Sequence, residues 1–418
     1  MILAMSTDNK AETYIWEKKG WPTLRFRIGD LAPLLALVRE AKGELLGTIR
    51  MFGSAPQLQA AVEAMAQEVV SSSAIEGVNL SLDAVRESLM LRLGALKGGM
   101  PHARTRRVDP VVGILTEAVQ GWKEPLSLER IFGWHQALFQ GGFSPHLGQI
   151  RVGEFRGEEP MAVVTQPRRL GDPLVIHYEA PPRPRLEREM AAFLDWFNAP
   201  PEGLDSLLRA GLVHFWFVTI HPFEDGNGRL ARTLGDMALA QADQSALRFY
   251  SLSGQIMRDK ASYYDALERA QHRGLDVTEF LEWFLKELHQ AIRHGIREAH
   301  LVLARTLFWE HASKLKMNER QQAALRKALA PRTDGAPEED GTLSNRHYRT
   351  VTGANRITAT RDLVQLVELG LLIPHGAGRG AAYRVPLERF LPGSAQDVGG
   401  MVDGIHASEE SERDRGEE

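Results

Sequence analysis

The densest run of reactive residue types in the chain is His221-Pro222-Phe223-Glu224-Asp225-Gly226-Asn227-Gly228-Arg229-Leu230-Ala231-Arg232. It follows an apolar stretch, His214-Phe215-Trp216-Phe217-Val218-Thr219-Ile220. That order predicts a buried helix ending near His221 and a second helix starting near Gly228. Two glycines flank an asparagine between them, and glycine tolerates positive φ and lets the backbone approach a ligand closely. Exposed N–H groups in such a turn, at a helix start, make an anion site. Asp225 is a hard oxygen ligand suited to Mg²⁺ held beside phosphates. Arg229 and Arg232, three apart, share one helix face, where guanidinium groups can pair with phosphate oxygens. His221 is a candidate general base. Each feature alone reads as structural: one histidine among 14, a Gly-Asn-Gly turn, two arginines on a solvated face. Together they specify eight positions in twelve, and that combination is what points to chemistry. His214, Phe215, Trp216 and Phe217 read as core.

At these residues the chain resembles the Fic family, whose signature runs His-x-Phe-x-Asp/Glu-Gly-Asn-Gly-Arg-x-x-Arg; every specified position matches. The resemblance implies a mainly α fold, a helical core with a β-hairpin flap. It implies transfer of AMP from the co-substrate ATP to a Ser, Thr or Tyr hydroxyl of a target protein. By that resemblance His221 deprotonates the hydroxyl, and Asp225 holds Mg²⁺ (or Mn²⁺) on the α- and β-phosphates. Gly226, Asn227, Gly228 and Arg229 cradle phosphates, Leu230 and Ala231 belong to the same ATP-binding turn, and Arg232 meets the γ-phosphate. Gly228 stands where the phosphotransferase branch of the family carries lysine, which favours nucleotidyl transfer. The resemblance runs from about Tyr14 to Ala291.

Met161–Thr165 and Leu174–Tyr178 are β-rich and separated by Gln166-Pro167-Arg168-Arg169-Leu170-Gly171-Asp172-Pro173, which reads as a hairpin. With Ala180-Pro181-Pro182 behind it, it resembles the family's flap, which would hold the target by strand addition. Ile176, His177, Tyr178 and Glu179 match flap positions near the nucleotide. Tyr263, Tyr264 and Gln271 resemble the adenosine side of the site, although an asparagine is the usual residue at Gln271.

Ser71-Ser72-Ser73-Ala74-Ile75-Glu76-Gly77 resembles the family's inhibitory motif, Ser/Thr-x-x-x-Glu-Gly/Asn, through Ser72, Glu76 and Gly77. Ser72 and Glu76 share one face if helical, and Gly77 suits a helix C-terminus. The resemblance implies autoinhibition: a Glu76–Arg232 pair would occupy the cation the γ-phosphate needs, leaving ATP misaligned for in-line attack.

The elements that must position these residues are helical. Apolar residues recur at helical spacing in Leu31–Met51, Gln57–Val70, Leu82–Leu93, Pro110–Gln120, Leu128–Phe139, Leu186–Phe197, Asp205–Ile220, Arg229–Gln241, Ser262–Ala270 and Thr278–Leu301. The reading divides the chain into an N-terminal helical region with the inhibitory motif (1–108), a Fic core (109–300), a linker helix with a small C-terminal domain (301–390) and a disordered tail (391–418). Arg346–Gly370 reads as two short helices around Thr352-Gly353-Ala354, followed by a wing at Leu371–Val385 that carries Arg379. This resembles a winged helix–turn–helix, which leaves DNA and protein docking both open. Arg104-Thr105-Arg106-Arg107 reads as a solvated loop.

The 418 residues are 43% hydrophobic and 25% charged, an ordinary globular composition. With no cysteine, disulfide scaffolds, thiolate nucleophiles and Cys-based metal sites are excluded. The net charge of −4 excludes a generally basic nucleic-acid coat. No signal peptide or membrane span is expected, and a cytoplasmic location is. The resemblance also allows self-modification and a homodimer. Two rival readings stand beside AMP transfer. One is a hydrolase that removes AMP at the same site, with Glu76 positioning water. The other is a DNA-binding regulator with a vestigial Fic domain.

Overall fold

The apolar stretch before His221 becomes a helix because Asp205 caps it: its carboxylate accepts the N–H groups of Leu207 and Leu208 at 2.9 and 3.4 Å. In the computed structural model this helix covers Ser206–Ile220, and every residue from Leu207 to Ile220 is buried. A helix apolar all round belongs in a core. The structure describes residues 14–94, 105–165, 175–329, 341–375 and 382–391. The expected tail from residue 392 onward, Arg104, the flap loop 166–174 and Arg379 lie outside them.

The described elements, in chain order, are α1 (Ile28–Arg50), α2 (Ser54–Ile75), α3 (Leu82–Arg92), α4 (Asp109–Gln120), α5 (Leu128–Leu138), β1 (Phe143–Ser144), β2 (Gly148–Gln149), β3 (Ala162–Thr165), β4 (Val175–Glu179), α6 (Leu186–Asn198), α7 (Ser206–Ile220), α8 (Asn227–Asp243), α9 (Leu252–Arg258), α10 (Lys260–His272) and α11 (Thr278–Ala312). These are followed by α12 (Glu319–Ala328), β5 (Thr342–Leu343), α13 (Asn345–Thr352), α14 (Arg356–Glu368), β6 (Ile373–His375) and β7 (Ala382–Arg384). The fold is mainly α, as expected. Periodicity did not anticipate the seven-residue α9 or the β1–β2 hairpin, which are too short to show a repeat.

The chain divides into two units, residues 1–47 with 60–296, and residues 48–59 with 297–418. In the first, α7 packs on α8, and α4 packs on α8. A cluster of Val62, Met65, Val69, Val85, Leu89, Val112, Leu115 and Ala240 joins α2, α3, α4 and α8. The helix bearing the Ser72 motif therefore rests on the helix bearing Arg232. β3 and β4 pair antiparallel, with an irregularity between Val163 and Val164. In the second unit, α12, α13 and α14 and a sheet of order β5-β7-β6 enclose Phe308, Leu325, Tyr348, Leu363, Leu366 and Leu372.

Candidate active site

His221 closes α7 in the left-handed region, φ 52° and ψ 58°, which is uncommon for a residue with a Cβ. Arg156 holds it there. The Arg156 Nε–H donates to the His221 carbonyl at 2.9 Å, its backbone N–H donates to Pro222 O at 3.0 Å, and its Nη2 donates to Pro181 O. On the imidazole, Nδ1–H donates to Val218 O at 3.1 Å, which leaves Nε2 with its lone pair. Burial, with a smaller contribution from Arg156, pushes the His221 pKa down to about 4. The ring is therefore a neutral acceptor at neutral pH.

The loop that follows is built by its own side chains. Asn227 accepts from Phe223 N–H at 2.9 Å and donates to Phe223 O at 2.8 Å. Its amide thus closes the loop, and its backbone at the start of α8 is what a phosphate can meet. Gly226 has φ +84°, and a Cβ there would lie 2.8 Å from the Phe139 ring, so glycine is required twice over. Asp225 accepts from Ser144 Oγ at 2.5 Å and from Gly226 N–H at 2.6 Å. Arg229 lies 3.7 Å from Asp225, with its guanidinium over the Phe139 ring. Leu230 and Ala231 are fully buried on the core side of α8, and Leu230 N–H is already bonded to Gly226 O. The structure therefore puts these two in the packing rather than at a ligand surface.

Ser72 lies on α2 and Glu76 just beyond its end. The Gly77 and Val78 N–H groups bond back to Ala74 and Ser73 carbonyls, and Gly77 has φ +76°, as a glycine-terminated helix requires. Arg232 donates Nε–H to Ser72 Oγ at 2.9 Å, and Nη2–H to Ser72 O at 2.9 Å and to Glu76 Oε1 at 2.8 Å. Burial would raise the Glu76 carboxyl, but the charge and hydrogen bond of Arg232, with smaller contributions from Arg229 and Lys260, outweigh it and hold the group below its ordinary value. Arg232 moves the opposite way: burial lowers it, Glu76 raises it further, and the net is upward. A Cβ on Gly228 would stand 2.2 Å from Glu76 Oε1.

A cavity of about 710 Å³ is lined by Glu76, His221, Asp225, Gly226, Asn227 and Gly228 on one side. Met161–Val164, His177 and Tyr178 of the flap and Tyr263, Tyr264 and Gln271 of α10 also line it. Ile176 and Glu179 of the expected flap set are not in that wall. Tyr178 is anchored through its hydroxyl to Thr219 O at 2.7 Å. His177 Nδ1 lies 2.9 Å from Glu268.

Motif reading missed several residues. His135, stacked on Phe223, donates Nε2–H to Asp225 O and accepts Gly153 N–H at Nδ1, both at 3.1 Å. His146 donates Nε2–H to Glu76 O at 2.8 Å. Ser144, His146 and Arg156 sit in loops and short strands, where no spacing rule links them to a segment some 65 to 81 residues away.

Residues 125–239 match the Fic/DOC family, and residues 14–95 match a domain of unknown function, DUF4172. Residues 125–239 form a Fic domain. The "Protein adenylyltransferase Fic" of Nematostella vectensis is 27% identical over 236 residues, 55% of this chain and 48% of that protein. A "Uridine 5'-monophosphate transferase" of Xanthomonas campestris is 32% identical over 136 residues, 30% of this chain and 23% of that one. The chain spans about half or less of the length of these curated relatives. A Fic family protein from Desulfovibrio desulfuricans G20 superposes with TM-score 0.48 at 20% identity over 85% of this chain and 95% of that one. His221, Asp225 and Arg232 all lie inside the Fic domain, and Glu76 lies inside the DUF4172 match.

Proposed function

We propose that the chain is a protein adenylyltransferase that moves AMP from ATP to a hydroxyl side chain of a target protein and is restrained by its own Glu76. The observation that carries this reading is a set of buried guanidinium N–H groups with no hydrogen-bond acceptor. Arg229 Nε and Nη2 and Arg232 Nη1 have no hydrogen-bond acceptor among the described residues, Asp225 standing 3.7 Å from Arg229 Nη2, and they flank a turn shaped for anions. Polyphosphate oxygens would satisfy them. His221 Nε2 takes the hydroxyl proton, the oxygen attacks the α-phosphorus, and pyrophosphate leaves. Asp225 is the residue that would hold a divalent cation, together with nucleotide oxygens. Among the described residues no group of three metal-ligating side chains occurs, and a single carboxylate suits Mg²⁺ or Mn²⁺ better than Zn²⁺. Such a cation, when bound, would neutralise charge on the phosphates. Glu76 competes with the γ-phosphate for Arg232. The main-chain edge of the flap would pair with the target segment, and the target can be this chain itself. Among the described residues no helix is long and apolar enough to cross a membrane.

The test is Glu76→Gly protein incubated with ATP or UTP, Mg²⁺ and a cell lysate, followed by mass spectrometry of modified Ser, Thr and Tyr. AMP-bearing peptides that vanish with EDTA support the proposal. UMP-bearing peptides, or none, overturn it. Removal of AMP is the rival that the Glu76 position also favours, since a carboxylate beside His221 could orient water. It makes the opposite demand, that Glu76→Gly slow the reaction.

A further inference from the structure

The charge of the second unit is distributed in a way that nucleotidyl transfer does not use. α13 is capped at its start by Ser344, whose hydroxyl accepts His347 N–H at 3.0 Å, and at its end by Gly353 with φ +71°. α14 follows at once, capped by Asn355, which accepts Thr358 N–H at 2.9 Å. The pair is then locked from inside. Tyr348 donates its hydroxyl proton to Asp362 at 2.9 Å, Arg320 reaches the same carboxylate at 3.0 Å, and Asn345 donates to Thr360 Oγ1 at 3.0 Å. Ala359, Leu363 and Leu366 turn into the core. The outer face of α14 exposes Arg356, Ile357, Thr360, Arg361 and Val364 and, towards its C-terminal end, Gln365 and Glu368; Ile357 is 83% exposed.

Arg346 and Arg349 on α13 and Arg356 and Arg361 on α14 are all exposed. Among the described residues none of the four has a carboxylate partner, whereas Arg320 and Arg384 of the same unit are both paired. Of the two acids on these helices, Asp362 is buried against Arg320 and Tyr348, and Glu368 is exposed in the last turn of α14, at the opposite end of the helix from Arg356. A chain with a net charge of −4 thus presents, on two consecutive helices, four exposed guanidinium groups without a carboxylate partner among the described residues.

We propose that α13 and α14 bind double-stranded DNA, with α14 in the major groove and the α13 arginines on flanking phosphates. The 13 residues of α14 make a rod about 20 Å long, of the kind a groove roughly 12 Å wide admits. Paired helices joined by a short turn dock in this way, the first across the backbone and the second against base edges. Duplex DNA places one negative charge per ~1.7 Å of axis, which matches a row of arginines lacking internal partners. Arg356 and Arg361 can pair with guanine edges, and the exposed Ile357 can meet a thymine methyl.

The test uses the full-length protein and a labelled random-sequence duplex of about 30 base pairs, roughly three helical turns, in fluorescence anisotropy at several salt concentrations. Binding should weaken linearly in log–log form. Arg346→Ala and Arg349→Ala should each reduce the slope by about one, as loss of one phosphate contact predicts. Sequences enriched from the pool should change with Arg361→Ala or Ile357→Ala. His221→Ala should bind as the wild type does, so failure of the transfer reading would leave this one standing. No binding at low salt, or binding unchanged when all four arginines are replaced in a protein of unaltered melting temperature, overturns the proposal. So does a four-arginine variant that only changes the sedimenting mass, which would make the face a contact between two copies of this chain.

Discussion

Glu76 Oε1 lies 2.8 Å from Arg232 Nη2, and the same guanidinium holds both the hydroxyl and the carbonyl of Ser72. The Arg232 side chain is 2% exposed, so water cannot screen this contact well. A pair about 4 Å apart attracts by roughly 4 kcal/mol at an effective dielectric of 20, before desolvation is subtracted. Glu76→Gly should therefore raise AMP transfer by at least about tenfold, a change of roughly 1.4 kcal/mol in barrier. The double change Glu76→Gly with Arg232→Ala should lose that gain. Equal rates for wild type and Glu76→Gly, measured as label incorporated per minute, would make Glu76 an ordinary helix-end carboxylate.

His221→Ala should cost about 10²- to 10⁴-fold in rate, the usual contribution of a positioned base, while nucleotide binding by calorimetry persists. In the Glu76→Gly background, kcat/KM should also stay level as pH falls through 6.5. It should decline only near 4, because burial holds the His221 pKa at about 4 and the base form persists above it. A midpoint at the ordinary histidine value would mean that the ring is solvated in the working enzyme.

Arg156 touches the His221 carbonyl and not the imidazole, so it acts by position. A hydrogen bond from a charged donor is worth about 1.5–3 kcal/mol. Arg156→Lys should therefore lower kcat roughly ten- to a hundred-fold, with a much smaller change in the KM for ATP. Steady-state kinetics separate the cases: a raised KM with unchanged kcat would mean that Arg156 only shapes the cavity.

Three histidines, His135 and His214 buried and His221 half-buried at the cavity wall, link acid to stability. Burial lowers the pKa of His135 to about 4, of His214 to about 3 and of His221 to about 4. Each is depressed, so the unfolded chain binds protons first: stability is intact above about 6.5 and declines as pH falls from there towards 4. His135→Gln can keep both of that residue's hydrogen bonds without titrating. Its melting temperature should fall less steeply than wild type between pH 6.5 and 4 in calorimetric scans. An identical slope would assign the acid loss to other groups.

The local geometry of the candidate site was legible in sequence because it is local. A helix of apolar residues, a loop with Gly226 and Asn227, and a helix carrying Arg229 and Arg232 are contiguous in the chain, and short-range rules govern their caps and turns. Ser72 and Glu76 were legible for the same reason, being one helical turn apart. The tertiary structure alone decided what those residues face. It brought Glu76 to Arg232 across 156 residues and Arg156 to His221 across 65. It also turned the Asn227 amide inward to close its own loop and put Leu230 and Ala231 in the core. No spacing rule contains such pairings, because they follow from how α2 packs on α8 and how the chain after α5 folds back over the end of α7. The unpaired arginines of α13 and α14 make the same point in reverse. Their sequence shows a modest basic content, and it is the burial of Asp362 against Tyr348 and Arg320 that leaves Glu368 as the one exposed acid on these two helices.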